Sequence, residues 1–200
     1  MKKVLIFGSN GFVGPYLSKE LSSRGLDVYE SDISTTTDSK RNKYFACDIT
    51  NSFAVFKLIN QIKPNFIVNL AAVSSVSSSW KNPQLTYQIN VVGAINILDS
   101  LIKQNNLSCK VLIVGSSEEY KPSNKPLSEN SPLDSNNPYG LSKESQEKIA
   151  TLYSSKYGIP VIFTRSFNHT GVGQKDNFVI PSFCKQVVDI EKGKAKNEIL

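Results

Sequence analysis

The chain begins with a short apolar segment that leads directly into three evenly spaced glycines. Residues 4–7 are all large and apolar, as in a strand buried within a parallel sheet, and Gly8, Gly11 and Gly14 follow at once. Apolar side chains then recur at helical spacing over residues 12–21. A strand, a glycine turn and a helix in this order favour binding of a dinucleotide, because the glycines bring the backbone close to the pyrophosphate and the helix N-terminus favours its negative charge. The alternative is a turn that needs glycine only for its geometry, but the flanking elements favour the dinucleotide-binding interpretation.

Five more short apolar segments alternate with helical patterns along the rest of the chain. Strands are predicted at residues 4–7, 28–32, 44–47, 66–70, 111–115 and 161–164. Helices are predicted from residue 12, from 53 to 62, from 83 to 105, from 138 and from 178 to 192, with polar loops at 34–41, 74–79 and 121–137. Asn90 is polar among apolar neighbours, and both a buried structural hydrogen bond and a role in the site remain open for it. Strands that alternate with helices form a parallel sheet through right-handed crossovers, so the predicted fold class is α/β, a Rossmann-type doubly wound parallel sheet.

An acidic residue ends the second predicted strand. Asp32 lies roughly 20 residues beyond the glycines, where a carboxylate binds the adenosine ribose hydroxyls. A carboxylate there repels a 2′-phosphate, and no arginine stands beside it, so NAD(H) is favoured over NADP(H). A turn-forming aspartate is the alternative.

Further candidates follow the third and fourth strands, because open α/β sheets bind their ligands at the carboxyl ends of the strands. Asp48 has two interpretations, a hydrogen bond to an adenine amino group or a cap on the next helix. The fourth strand ends in Leu70, Ala71 and Ala72, where small side chains let a flat ligand lie close, and the serine-rich loop after it is a candidate substrate loop. The candidate cofactor-binding residues in the first half of the chain are Gly8, Asn10, Gly11, Phe12, Val13, Gly14, Asp32, Asp48, Ile49, Leu70, Ala71 and Ala72.

A tyrosine and a lysine four residues apart, Tyr139 and Lys143, are the main catalytic candidates. Pro138 suits the first position of a helix, and a spacing of four puts both side chains on one face. An ammonium beside a phenol is expected to lower the pKa of the phenol, as a general acid or base acting on a carbonyl or an alcohol requires. The fifth strand delivers Ser116 and Ser117, whose hydroxyls are expected to face Tyr139 across the cleft. Taken alone, the tyrosine and lysine have a plainer alternative, a solvated helix face.

The composition of the chain indicates which kinds of ligand and partner it is not expected to bind. The net charge is +6, but the lysines are spread out apart from small clusters at 40–43 and 192–196, which we interpret as solvated surface and not as a nucleic-acid footprint. The three cysteines are isolated and His169 is the only histidine, so we expect no metal site and a reducing compartment. The apolar segment at the N-terminus is too short for a signal peptide, and no apolar run reaches membrane-spanning length. We therefore expect a cytoplasmic protein that binds neither membranes nor nucleic acid.

The glycine turn and the Tyr139/Lys143 pair together resemble the extended short-chain dehydrogenase/reductase family, the nucleotide-sugar epimerases, dehydratases and reductases. The resemblance runs from residue 1 to about 190. Within the family, residues 114–120 and 165–174 are most similar to reductases that act on GDP-4-dehydro-6-deoxy-D-mannose. The resemblance implies NAD(P)H-dependent reduction of the 4-keto group of that GDP-sugar to give GDP-D-rhamnose. A GDP-mannose 4,6-dehydratase or another epimerase or dehydratase is the enzymatic alternative, and a cofactor-binding fragment without catalysis is the non-enzymatic one.

The resemblance also implies roles for single residues. Ser116 corresponds to the Ser or Thr that hydrogen-bonds the 4-oxygen of the sugar, Tyr139 to the proton donor, and Lys143 to its partner, which also holds the nicotinamide ribose. Glu118 stands where dehydratases place a glutamate that removes a proton from carbon 5, with a purely hydrogen-bonding role as the alternative. The implied catalytic residues are Ser116, Tyr139, Lys143 and Glu118. The implied additional cofactor-binding residues are Tyr139, Lys143, Phe167 and His169. The implied substrate-binding residues are Ser74, Ser116, Ser117, Glu118 and Asn168.

The resemblance finally implies a domain organisation and an assembly. Relatives continue for roughly another hundred residues, which form most of a substrate-binding domain. We therefore expect a dinucleotide-binding domain at 1–178 and only the start of a substrate-binding domain at 179–200. Relatives often form homodimers through a four-helix bundle that includes the helix of Tyr139, and we expect the same here.

Overall fold

The structure, a computed structural model, describes residues 1–35, 43–195 and 198. Most of the predicted loop at 34–41 and part of both lysine clusters lie outside these residues. The chain divides into two compact units, Met1–Phe167 and Asn168–Leu200. The domain boundary at residue 178 that the resemblance implies stays a prediction.

Six parallel strands form one sheet, which lies entirely within the first unit. The strands are β1 (Lys3–Phe7), β2 (Asp27–Asp32), β3 (Tyr44–Ala46), β4 (Phe66–Asn69), β5 (Lys110–Val114) and β6 (Val161–Thr164). Their order across the sheet is β3-β2-β1-β4-β5-β6, so the chain reverses its direction of winding between β1 and β4. In such sheets ligands bind outside the carboxyl ends of the strands at this reversal. The predicted Rossmann-type fold is confirmed, and each predicted strand is present to within one residue at either end.

The helices lie between the strands, as the predicted alternation requires. They are α1 (Gly14–Ser23), α2 (Ser52–Ile62), α3 (Val76–Lys81), α4 (Pro83–Tyr87), α5 (Gly93–Lys103), α6 (Pro138–Tyr157) and α7 (Val179–Glu191), with a π-helical turn at Gln88–Val92 and a 3₁₀ turn at Ser117–Glu119. The predicted loop at 74–79 is wrong in its second half, because the Ser75 hydroxyl accepts a hydrogen bond from the Ser78 N–H (3.3 Å) and caps α3. The predicted long helix at 83–105 is present, but the π-helical turn interrupts it.

The sheet is buried on both faces, which explains why its strands are continuous apolar runs. On one face the paired residues Tyr29, Leu5, Ile67, Val111 and Val161 form a row across five strands. This row joins a core cluster to which α2 and α5 contribute most of the helical side chains. The opposite face carries a smaller cluster built on β1 and β4, which packs against α1. Two covered faces are what a doubly wound sheet requires.

The helical segment Pro83–Lys103 belongs to this core. By length and mean hydropathy (1.2) it also passes the test for a membrane-spanning helix, and among the described residues it is the one segment that does. Of that apolar window, 56% is buried inside the protein. Core packing therefore accounts for its apolar character.

Candidate active site

The glycine turn is pressed against the end of β4. Gly8 has a φ of +78°, and a Cβ atom built on it would lie 2.5 Å from the backbone nitrogen of Ala71. A Cβ on Gly14 would lie 2.1 Å from the carbonyl oxygen of Ser9. The Gly8 and Ser9 N–H groups both donate to the carbonyl of Ser31 on β2, at 2.8 and 3.0 Å. The turn therefore needs glycine at these two positions, and it leaves open backbone at the reversal point of the sheet.

Asp32 fixes this turn from the end of β2. Its Oδ2 accepts a hydrogen bond from the Asn10 N–H (3.0 Å), and its Oδ1 accepts one from the Ile33 N–H (2.8 Å). The Asn10 side chain in turn donates to the Tyr44 hydroxyl of β3 (2.7 Å). Each carboxylate oxygen has a further lone pair, so these contacts leave Asp32 able to accept hydrogen bonds from a ligand.

Of the two candidate residues that follow β3, one is exposed and the other is buried. Asp48 is exposed, and its Oδ1 accepts hydrogen bonds from the N–H and the hydroxyl of Thr50 (2.9 and 2.8 Å). Its interpretation as a helix cap is wrong, since Asn51 caps α2 by accepting from the Ala54 N–H (3.0 Å). Ile49 is a core side chain, so any contact with a cofactor would come from its backbone.

The end of β4 supplies the small residues next to the glycine turn. Leu70, Ala71 and Ala72 are all half-buried, and the Leu70 N–H donates to the carbonyl of Phe7 (2.9 Å). Ser74 is exposed beyond them. The structure thus brings the predicted cofactor residues of β1 and β4 together at one edge of the sheet.

Asn90, whose role the sequence leaves open, makes buried structural hydrogen bonds. Its Oδ1 accepts from the Val73 N–H (2.9 Å), and its Nδ2 donates to the Val73 carbonyl (3.2 Å) and the Ser142 hydroxyl (2.8 Å). Asn90 lies in the π-helical turn. It therefore holds the segment after β4 against α6.

Ser116 and Tyr139 meet at the carboxyl edge of the sheet. Ser116 directly follows Gly115 at the end of β5, and Tyr139 lies in the first turn of α6. The Ser116 side chain hydrogen-bonds Tyr139 and by itself lowers the pKa of the phenol. Burial has the larger effect and raises that pKa, and the negative charges of Glu119 and Glu118 raise it further. The predicted meeting of the two hydroxyls is confirmed, and the phenol is held in its protonated form.

Lys143 is buried and directed toward β5. Its Nζ donates to the Val114 carbonyl (2.7 Å) and lies 3.4 Å from Oε1 of Gln146, and only 4% of the residue is exposed. Burial lowers the pKa of Lys143 to about 8, against an opposing effect of Glu119. The expectation that this ammonium lowers the pKa of Tyr139 is wrong for this structure, because the pKa of the phenol is raised and the ammonium is bound to a carbonyl.

Glu118 lies on the exposed side of the same site. Its Oε2 accepts a hydrogen bond from Nδ2 of Asn137 (2.9 Å), and Asn137 also caps α6 by accepting from the Gly140 N–H (2.8 Å). A Cβ on Gly140 would lie 2.4 Å from the Glu118 carbonyl oxygen, so the first turn of α6 packs directly on the 3₁₀ turn. This contact fixes Glu118 relative to Tyr139.

A cluster of charged side chains, Glu119, Arg165 and Glu147, packs behind Ser116. Glu119 is fully buried, and its Oε1 accepts a hydrogen bond from the Ser116 N–H (2.7 Å). The guanidinium of Arg165, the residue directly after β6, binds both carboxylate oxygens of Glu147 on α6, with Nε–Oε2 at 2.9 Å, and lies 3.8 Å from Oε2 of Glu119. Arg165 also lies over the ring of Tyr120, 5.2 Å from its centre. One cation thus joins β6, α6 and the turn that carries Ser116.

Of the remaining candidates, Ser117 and Phe167 belong to the first unit, and Asn168 and His169 belong to the second. Ser117 is half-buried, and its N–H donates to the Ser166 carbonyl (2.9 Å). Phe167 is 58% exposed and stacks on Tyr120, with ring centres 6.4 Å apart. Asn168 and His169 belong to the second unit, in which both are exposed. Their roles stay predictions.

Comparison with known proteins places the chain in a family. Residues 5–200 match the family described as GDP-mannose 4,6-dehydratase. The chain belongs to this family. The expected membership of the extended short-chain dehydrogenases/reductases is thereby confirmed.

Relatives of the GDP-mannose 4,6-dehydratase family differ in the reaction that their names state. UDP-glucose 4-epimerase of Lactobacillus helveticus is 33% identical, and the alignment covers 93% of this chain and 60% of that protein. GDP-6-deoxy-D-mannose reductase of Pseudomonas aeruginosa is 32% identical, with 68% and 45% covered. The solved structure of RMD from Pseudomonas aeruginosa, complexed with NADPH, has a TM-score of 0.82 at 26% identity, with 98% and 63% covered. The chain therefore spans about 60% of the length of its fuller matches.

For this member of the GDP-mannose 4,6-dehydratase family, sequence reasoning missed the residues that support the site. Asn137 carried a usable signal, since an asparagine before a proline at a helix start indicates an N-cap. Glu119 carried one too, since Ser116 and Glu119 have the Ser-x-x-Glu spacing of a capping box, which the structure shows, whereas Arg165 carried none. Their burial follows from contacts between segments far apart in the chain.

Proposed function

We propose that this chain carries the cofactor-binding and proton-donating parts of a nucleotide-sugar reductase, which reduces the 4-keto group of GDP-4-dehydro-6-deoxy-D-mannose to GDP-D-rhamnose. The observation that carries the proposal is the half-buried Tyr139, hydrogen-bonded to Ser116 at the carboxyl edge of the sheet, with Lys143 one turn further along α6. A protonated phenol is the form that donates a proton to a carbonyl oxygen, whereas abstraction of a proton from an alcohol would need the phenolate. The GDP-sugar is proposed because residues 114–120 and 165–174 resemble such reductases and because a reductase of that name is among the relatives.

The glycine turn fits a nicotinamide dinucleotide. Asn10 and Gly11 of this turn are exposed, so their backbone is accessible where a pyrophosphate would lie. We assign the adenosine ribose to Asp32 and the nicotinamide end to the side of Tyr139 and Lys143. When bound, the reduced cofactor supplies the hydride. We propose NAD(H) before NADP(H) on the charge of Asp32, although the solved Pseudomonas aeruginosa relative was complexed with NADPH.

Three residues of the chain then polarise the carbonyl group, supply the proton and hold the cofactor. Ser116 hydrogen-bonds the carbonyl oxygen and polarises it, and Tyr139 transfers its proton to that oxygen as the bond to hydrogen forms at carbon 4. Lys143 is charged at neutral pH, since its pKa of about 8 lies above 7, and we assign its ammonium to the nicotinamide ribose, next to the Val114 carbonyl to which it donates in the described structure. Solvent returns a proton to Tyr139 afterwards.

A 4,6-dehydratase is the second candidate, and Glu118 is the observation that favours it. Its carboxylate is exposed, beside Tyr139, and oriented by Asn137. A base that removes the carbon-5 proton needs such an accessible carboxylate. A cofactor-binding fragment without catalysis is the third candidate, since the chain spans about 60% of its fuller matches.

The homodimer through α6 also remains a proposal. In the described structure α6 leaves Leu141 and Leu152 exposed, at 46% and 67%. These side chains are compatible with a helix-to-helix interface.

Two measurements test the proposal, first the binding of the cofactor and then its consumption in the presence of the keto sugar. NADH and NADPH are titrated into the purified chain, and consumption of the tighter one is followed by absorbance with GDP-4-dehydro-6-deoxy-D-mannose. We expect Tyr139→Phe to bind the cofactor normally and to lose about 10²–10⁴-fold in turnover. The matched control is Tyr153→Phe on the same helix, whose hydroxyl donates to Asp99 (2.8 Å) away from the site. Full turnover by Tyr139→Phe would refute the role of this residue.

Product analysis separates the candidates. Net oxidation of the reduced cofactor indicates a reductase, whereas conversion of GDP-mannose to a keto sugar without net consumption indicates a dehydratase. Glu118→Gln should abolish the second reaction and only reduce the first. Cofactor binding without either reaction would support the non-catalytic fragment.

A further inference from the structure

Glu119 is the fully buried carboxyl group of the region, and the reaction as described does not use it. One oxygen accepts the Ser116 N–H at 2.7 Å. The other, Oε2, is buried and has no hydrogen-bond partner among the described residues. Its charge partner is Arg165, whose Nε lies 3.8 Å away, so this buried oxygen is balanced by an ion pair and not by a hydrogen bond.

The charges around Glu119 come from each element packed against it. Helix α6 contributes Lys143, Tyr139 and Glu147, and Arg165 directly follows β6. The neighbours in its own turn are Glu118 and Tyr120. Two cations and a second carboxylate therefore face one carboxyl group that directly contacts the backbone of Ser116.

The position of Gly115 adds a second geometric observation. A Cβ on Gly115 would lie 2.3 Å from Oε1 of Glu119, so the carboxyl group is inserted against the backbone at the end of β5. The neighbouring Val114 carbonyl is the one that binds Lys143. Glu119 thus contacts the backbone at Gly115 and Ser116, directly after the Val114 carbonyl that binds Lys143.

We propose that Glu119 is a positioning residue of the active site: its carboxyl group fixes Ser116 through the backbone N–H at the end of β5, and its negative charge acts on the facing Tyr139 and Lys143 of α6. This inference rests on the proposed function for its catalytic meaning. Burial raises the pKa of Glu119 to about 7, which places its change of charge near neutral pH. The Arg165–Glu147 pair lines an open cleft of about 550 Å³, so protons can reach the cluster from solvent.

The first test measures the ionisation of Tyr139 and needs no activity. The absorbance of the phenolate is followed as the pH is raised, for each protein and for the same protein with Tyr139→Phe, and the difference isolates Tyr139 from the other tyrosines. We expect Glu119→Gln to lower the pH at which Tyr139 ionises, because a negative charge that favours the protonated phenol is removed. An unchanged ionisation pH in a folded Glu119→Gln protein would overturn the proposal.

Two further variants separate charge from packing. Glu119→Asp keeps the charge and should ionise Tyr139 at about the pH of the wild type, and a shift as large as that of Glu119→Gln would overturn the proposal. Glu147→Gln removes the other carboxylate bound to Arg165, and Glu147 is not among the groups that set the pKa of Tyr139 in the described structure. An equal shift in Glu147→Gln would assign the effect to Arg165 and overturn the role of Glu119.

The second test is the pH dependence of turnover with the keto sugar. We expect the decline of wild-type turnover toward alkaline pH, where Lys143 loses its proton, to begin at a lower pH in Glu119→Gln, with the Michaelis constant for the cofactor unchanged. If the wild type reduces no keto sugar, the proposed function fails, and the ionisation of Tyr139 still decides the role of Glu119. If the wild type is active and both readouts are the same in Glu119→Gln, the inference fails and the proposed function stands.

Discussion

Helices α5 and α6 pack on the same sheet but bury opposite kinds of side chain. The buried residues of α5 include Ala94, Ile97, Leu98 and Leu101, which fill the core. The buried residues of α6 are mostly polar: Gly140, Ser142, Lys143, Glu144, Gln146 and Ala150. The first helix stabilises the fold by removing apolar surface from water, whereas each polar group of the second must find a partner to offset its desolvation.

The distribution of unpartnered polar atoms follows the same division. The buried side-chain atoms without a hydrogen-bond partner in the described structure are in Ser9, Ser31, Asn69, Glu119, Gln146 and Thr164. The first three surround the glycine turn and the others surround Glu119, and α2 and α5 contribute none. The two proposed ligand sites are therefore the strained parts of the molecule, and the apolar helices supply the stability that lets them persist.

The largest expected effect is the loss of stability when an apolar side chain of α5 is shortened. Leu98→Ala removes a fully buried side chain of α5 and should lower the free energy of unfolding by about 2–5 kcal/mol, measured by urea denaturation. Thr151→Ala on α6 is the control, since Thr151 is exposed and should change stability by no more than about 0.5 kcal/mol. Equal losses would mean that the two helices do not differ as described.

The next effect concerns a buried polar group of α6, Lys143, and is a dependence of stability on pH. The folded-state pKa of Lys143 is about 8, below the ordinary value of 10.5, so between these values the unfolded chain binds more protons than the folded one. The contribution of Lys143 to stability then rises with pH in this window, by up to about 3 kcal/mol, whereas the buried thiols of Cys47 and Cys109, whose pKa values burial raises to about 11 and 12, act in the opposite direction in both proteins. Lys143→Met lacks this group, and its stability relative to the wild type should fall from pH 8 to pH 10.

Urea denaturation of both proteins across that window measures the effect, with Lys148→Met as a control for the loss of an exposed lysine on the same helix. A constant difference between wild type and Lys143→Met would show that the ammonium is not desolvated in solution.

The smallest effect compares two helix caps of the same chemistry. Asn51→Ala removes the cap of α2, and Asn137→Ala removes that of α6, and each should cost about 1 kcal/mol in the free energy of unfolding. Only Asn137 also donates to Glu118, so only its loss should in addition change the pH at which Tyr139 ionises or the rate of a dehydratase reaction. A similar effect of both variants on Tyr139 would place the origin of that effect in overall stability.

Sequence reasoning predicted the parts of this molecule that depend on local patterns. The strands and the glycine turn follow from apolar runs and from residues such as Gly8, whose φ only glycine adopts readily. The helix of Tyr139 follows from Pro138 at its first position. In contrast, the orientation of Lys143 was missed, because it depends on the Val114 carbonyl across the sheet. The burial of Glu119 depends on Arg165 in the same way, through a contact between segments 46 positions apart in the sequence.

The contact between Gly8 and Ala71 limits how this protein can be redesigned. Any side chain at Gly8 would push the first turn away from the end of β4, so the floor of the cofactor cleft has a fixed width there. A change of cofactor preference therefore has to be engineered at the neighbouring exit of β2. There, Asp32 is only half-buried and Ile33 and Ser34 are exposed, which leaves room for a larger or oppositely charged side chain.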